Sequence, residues 1–181
     1  MKRKLFCFIM VILFLLVILA VVLFNNQRVN CENDETILVD LNDLIQNSSN
    51  PTLTVYYTDD YLIYTRSPIS AEALVYGTDC KHRFDLFELD EYKEHIMKFK
   101  ETRYKCTSDS SCYMNARVHY VFEDSKTGKK TEITLGINDT VLVDGKFINL
   151  KEEPQAKSLY QFIAPFLLEG NAGRQITELY Q

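Results

Sequence analysis

Clustered lysine and arginine are missing from this chain. Its 181 residues hold 20 Lys and Arg against 25 Asp and Glu, a formal net charge of −5, and Lys2, Arg3 and Lys4 sit at the very N-terminus. Without those three, 17 basic residues face 25 acidic ones. Nucleic-acid binding and tight docking on anionic lipid both need grouped positive charge. The body of the chain offers none, so no nucleic-acid partner is expected.

Assembled catalytic motifs are missing too. The histidines are His82, His95 and His119, and none lies in a pair such as H-E-x-x-H or beside a nucleophile in a glycine-flanked turn. Metal ligation by Cys80, His82, Cys106 and Cys112 fits poorly, because structural zinc sites place their ligands in two close pairs. Thiol redox chemistry needs two cysteines poised at a helix start, whereas Cys106 and Cys112 follow a helix end. No catalytic residue, metal or cofactor is therefore assigned. Internal repeats and low-complexity tracts are likewise lacking.

What the chain does have is a long apolar run. "LFCFIMVILFLLVILAVVLF", Leu5 to Phe24, contains no charge. At about 1.5 Å rise per residue it reaches roughly 30 Å, the depth of a bilayer's hydrocarbon core. A cleaved signal has a shorter apolar region and a small-x-small site, and the end of this run, Ala20-Val21-Val22-Leu23-Phe24, is too bulky for that. Residues 5–24 are read as a retained anchor, with secretion after signal cleavage as the alternative. A lipid-modified Cys31 lacks the small apolar residues it needs upstream, and a buried soluble hairpin would not be twenty residues without one polar side chain. The basic residues precede the run and only Arg28 follows closely, so residues 1–4 stay cytoplasmic and the rest lies outside.

On that side thiols meet an oxidising environment. Cys31, Cys80, Cys106 and Cys112 are even in number, which suggests pairing, with three possible connectivities. Cys106 with Cys112 is favoured because only five residues separate them, and Cys31 with Cys80 remains. Loop closure makes the first worth roughly 2 kcal/mol and the second roughly 4. Cys7 lies inside the span.

Residues 25–36 read as a stalk, 37–170 as one domain and 171–181 as a tail. Leu38, Leu41 and Ile45 have helical spacing. Short β-branched and aromatic runs follow, "LTVYY", "YLIYTR", "ALVYG" and "HRFDLF", each read as a strand. Leu89, Tyr92, Ile96 and Phe99 mark one face of a helix. "YMNARVHYVFE" and "TEITLGI" alternate like strands with one buried face, and Asp144-Gly145 signals a hairpin. In "SLYQFIAPFLLEG" Ser158 and Gln161 have capping-box spacing, Pro165 should kink the helix, and Gly170 can end it. The fold class is α+β, a mainly antiparallel sheet covered on one face by two or three helices. A small β-barrel with peripheral helices is the competing architecture.

For contacts, the crowd of tyrosines is the main signal, since tyrosine offers large area and one polar tip. Tyr56, Tyr61 and Tyr64 with Arg66 form one candidate patch, and Asn115, Arg117 and His119 share the polar face of a strand that could hold an anion. The plainer readings are ordinary sheet packing and a solvated sheet face. Glu91 and His95 form a helical surface pair. Asn47 and Asn138 begin glycosylation acceptor triplets. These features together describe a membrane-tethered, extracytoplasmic, non-catalytic domain that binds a protein or an envelope component. A membrane-anchored envelope hydrolase and an envelope thiol or metal protein are the alternatives.

Overall fold

The computed structural model describes residues 35–40, 43, 50–86, 90–99, 101–107, 114–137 and 139–181. They belong to one unit, Cys31–Gln181. Residues 5–24, Cys31, Cys112 and both asparagines of the acceptor triplets lie outside the described residues. Among those described, no helix is long and apolar enough to cross a membrane.

Among the described residues eight strands form two sheets. β1 (Thr36–Val39) pairs with β4 (Thr102–Lys105). The larger sheet has the order β3 (Cys80–Asp85), β2 (Pro51–Tyr57), β5 (Ala116–Asp124), β6 (Lys130–Gly136), β7 (Thr140–Val143) and β8 (Lys146–Asn149). Every described strand pair is antiparallel. The helices are α1 (Ala71–Gly77), α2 (Asp90–Met97), α3 (Lys157–Ile163) and α4 (Ala172–Tyr180). The domain is α+β, and its large sheet is open, with β3 and β8 at the edges, rather than closed into a barrel.

Period-two alternation places the core. Leu53, Val55 and Tyr57 pair with Phe122, Tyr120 and Val118, and the row continues through Ile133, Leu135, Val141, Val143 and Ile148. All are buried, and Leu159, Tyr160, Phe162 and Ile163 of α3 close over them with Phe166, Ile176 and Tyr180. Ile96 of α2 is buried in the same cluster, with Tyr92 and Phe99 packed against it. Asp144 and Gly145 take φ of 46° and 84°, the left-handed pair that a two-residue hairpin turn requires.

Several sequence expectations give way. The segment around Leu38 is strand β1, with Ile37 and Val39 buried and Leu38 exposed, because cross-strand pairing to Tyr104 and Thr102 outweighs a weak helical spacing. "ALVYG" is helical: Ser70 accepts the amide hydrogen of Ala73 as an N-cap, and this local bond decides a segment whose composition favours a strand. "YLIYTR" makes no strand. α3 begins at Lys157 without a side-chain cap, and Ser158 donates instead to the carbonyl of Gln155. Ahead of Pro165 the α-helix stops at Ile163 and a 3-10 turn, Ala164–Phe166, follows. Residues 171–181 are no tail, since α4 buries Ala172, Ile176 and Tyr180. α1 lies on the face opposite α3, against β5 and β2, so helices cover both faces of the sheet at this end.

Candidate functional site

The chain leaving β2 at Tyr57 does not turn tightly into β3. It makes an excursion over residues 58–79 at one end of the sheet, and four groups fix it there. Thr58 donates its amide to the carbonyl of Arg117, and Ala116 donates to the carbonyl of Ile69. From α4, the amides of Asn171 and Ala172 both donate to the carbonyl of Asp59, at 2.7 and 3.2 Å. The amide of Tyr61 donates to Gln175 Oε1 at 2.8 Å. Gly170 makes the approach feasible: its φ is +68°, and a Cβ there would stand 2.1 Å from the Asp59 oxygen.

Arg117 holds the excursion from beneath. The ladder shifts register between Ala116 and Val118, a β-bulge that turns Arg117 inward. Only 1% exposed, its guanidinium donates to Asn115 Oδ1 at 2.7 Å, to the Ala116 carbonyl at 2.9 Å and to the Ile63 carbonyl at 2.9 Å. Asn115 Oδ1 also accepts the Ile69 amide at 3.1 Å. One buried cation thereby organises two ends of a surface loop, and burying it is costly, the more so because its Nε finds no acceptor among the described residues.

Between this loop and α1 lies a pocket of about 460 Å³, lined by Thr58, Asp59, Ile63, Ile69, Ala73, Leu74, Gly77, Thr78, Asp79 and Cys80. That volume falls in the ordinary range of ligand sites. Its walls are apolar on the loop and helix sides and acidic at Asp59 and Asp79. Among the described residues no histidine, lysine or arginine lines it.

The nearest groups suited to chemistry are Cys80, His82 and Glu169. Burial pushes the Cys80 thiol up, and Glu169, Asp59 and Asp79 push it the same way. A protonated thiol among carboxylates is a poor nucleophile and a poor metal ligand. His82 Nε2 lies 3.5 Å from Glu169 Oε1, yet it makes no hydrogen bond among the described residues. His95 donates from Nε2 to the Phe162 carbonyl and packs on Phe99 and Phe162, so it is a core histidine. Among the described residues no group of three metal-ligating side chains converges.

The structure divides the tyrosine and polar-stripe residues into three environments. Tyr64, at 91% exposure, and Arg66 are on the surface. Tyr56 is half-buried on the face away from the main core, its ring 6.0 Å from that of His119 and under Lys81 Nζ at 4.9 Å. Tyr61, Arg117 and His119 are interior, which corrects their expected place in a contact surface. The Tyr61 hydroxyl donates to the Gly136 carbonyl and bonds Tyr180. His119 Nδ1 bonds Thr134 Oγ1 at 2.9 Å under the shelter of α1, and burial lowers its pKa. Cys80 stands buried at the pocket, while both expected disulfides need Cys31 or Cys112, outside the described residues.

Sequence reasoning missed Asp59, Leu74 and Asp79 as site residues. Their signal was Ser70 three residues ahead of Ala73 with Glu72 in the first turn, the mark of a short helix, which would have made 58–79 a loop carrying a helix. Comparison with protein-family models, characterised proteins and solved structures returns no match.

Proposed function

We propose that this protein is a membrane-tethered, extracytoplasmic binding domain without catalytic activity of its own, anchored by residues 5–24 and engaging a protein or an envelope component. Cys106–Cys112 and Cys31–Cys80 disulfides belong to this reading. One observation carries it. Of eight large hydrophobic side chains exposed among the described residues, four stand within the excursion: Leu62 at 50%, Ile63 at 40%, Tyr64 at 91% and Tyr76 at 90%. A fifth, Leu168, lies two residues from Gly170, which abuts Asp59. Gathered apolar exposure of this kind marks interaction sites, whereas scattered exposure does not. The loop bearing it is braced by Arg117, Gln175 and α4 rather than left mobile, which lowers the ordering cost of binding.

A Tyr64→Ala, Tyr76→Ala double variant tests the reading, compared with the parent by co-purification from intact membranes. Partner recovery should fall at least tenfold while the melting temperature is unchanged, and the protein should resist alkaline carbonate extraction. Undiminished recovery, or release by carbonate, refutes the binding surface or the tether respectively.

A further inference from the structure

Charge decides what the pocket accepts. Asp59 and Asp79 stand in its wall, and neither appears in any ion pair formed among the described residues. Of the cations near the pocket, Arg117 is turned under the loop onto the carbonyl of Ile63, Lys81 lies over Tyr56 on the far face, Arg174 pairs with Glu178, and Arg66 stands exposed on the loop outside the pocket's lining. Glu169 adds a third carboxylate near the buried Cys80. Exposed carboxylates beside Ile63, Ile69, Ala73 and Leu74 therefore stand in the wall of an apolar-floored pocket that no cation among the described residues lines.

We infer that the pocket receives one arginine or lysine side chain of a partner polypeptide, with apolar neighbours of that side chain covering Leu62, Tyr64 and Tyr76. This rests on the binding reading and supplies the partner's chemistry. An anionic or neutral group gains nothing from two unpaired carboxylates, and an anion is repelled. A small free amine would occupy the pocket but leave the rim bare. Flanking residues of a chain fill both at once: Tyr64 and Tyr76 are immediate sequence neighbours of the lining residues Ile63 and Gly77. Arginine is the better fit, since its fork meets carboxylates and its flat face stacks on tyrosine.

The test uses the full chain in lipid nanodiscs and three fluorescein-labelled heptapeptides, identical except for arginine, glutamine or glutamate between leucine and phenylalanine neighbours. Anisotropy titration should show the arginine peptide binding at least tenfold tighter than the glutamine peptide, with glutamate weakest. In Asp59→Asn combined with Asp79→Asn the arginine advantage should close to within about twofold, with unchanged melting. Ala73→Phe, which fills the pocket from the exposed side of α1, should weaken the arginine peptide at least tenfold. Equal affinity for all three peptides, or an arginine advantage that survives both substitutions, overturns the inference. If a photo-crosslinker at Tyr76 still captures a partner while the three peptides bind alike, the binding surface stands and the cationic side chain is discarded.

Discussion

At the level of single residues, Arg117 bears the most. Its two terminal nitrogens serve four acceptors, Asn115 Oδ1, the Ala116 and Ile63 carbonyls and Thr65 Oγ1, two of them in a loop far away in sequence. Removing it takes the donor from the Ala116 and Ile63 carbonyls, while Asn115 Oδ1 keeps the Ile69 amide, and each buried unsatisfied group costs about 1–3 kcal/mol. Arg117→Met, which keeps much of the stem, should therefore destabilise the domain by about 3 kcal/mol in denaturant titration. Amide exchange at Ile69 should quicken as well. Unchanged exchange there would show that the loop is held by other means. His119 gives a pH dependence of definite sign. Burial lowers its pKa below the ordinary 6.5, with Lys130 acting the same way and Glu132 and Glu72 opposing. In the window between the lowered folded value and about 6.5 the unfolded chain binds more protons, so stability falls as pH drops through it. Melting curves from pH 7.5 to 5 should show this loss, and His119→Gln should reduce it. An equally steep loss in the variant would assign the acid sensitivity elsewhere.

At the level of elements, α4 governs the site from a distance. It clamps the excursion through the Asp59 carbonyl and the Tyr61 amide, and Gly170 permits the close approach. Gly170→Ala must move the backbone at Asp59 besides adopting an unfavourable φ, so it should cost more than about 2 kcal/mol and weaken partner binding together with stability. A variant with full stability would contradict the clamp. The same helix shows where sequence reading reaches its limit. Strands β2, β5 and β6 were legible because alternation is local and their buried faces are wide, and Asp144-Gly145 was legible because the turn dictates its residues. β1 was not, since its partner β4 is more than sixty residues away. α1 was hidden behind valine and tyrosine, and α4 carries only three buried side chains. The pocket was invisible for the same reason: it exists between segments whose positions are set by Arg117, which strand alternation assigns to an outer polar face rather than beneath a loop, and by Gln175, which carries no signal of its own. Tyr64 and Arg66 were recognisable as exposed, but Tyr61 differs from them only by facing Tyr160 and Tyr180, which no local pattern reveals.

For the whole molecule, the interior is tied by hydroxyls as well as apolar packing. Tyr61 and Tyr160 donate to the Gly136 carbonyl, and Tyr180 bonds Asp139. Burial raises the pKa of Tyr61, Tyr120 and Tyr160 above the usual 10. Their contribution to stability is complete below that value and is lost as pH rises past it, because the unfolded chain ionises first. Tyrosinate absorbance should therefore rise in step with loss of the fold above about pH 10, and ionisation of every tyrosine well before unfolding would contradict a buried hydroxyl network. In the proposed reading the tether and the disulfides set where this domain works, and the excursion sets what it does there. The most direct test of that central claim places a photo-crosslinking residue in intact cells at Tyr76, at Tyr64 and at Lys126, which is exposed in the turn after β5, at the opposite end of the sheet. The account predicts one adduct of defined mass from Tyr64 and Tyr76 and none from Lys126. Adducts of equal yield from all three, or from Lys126 alone, would contradict it.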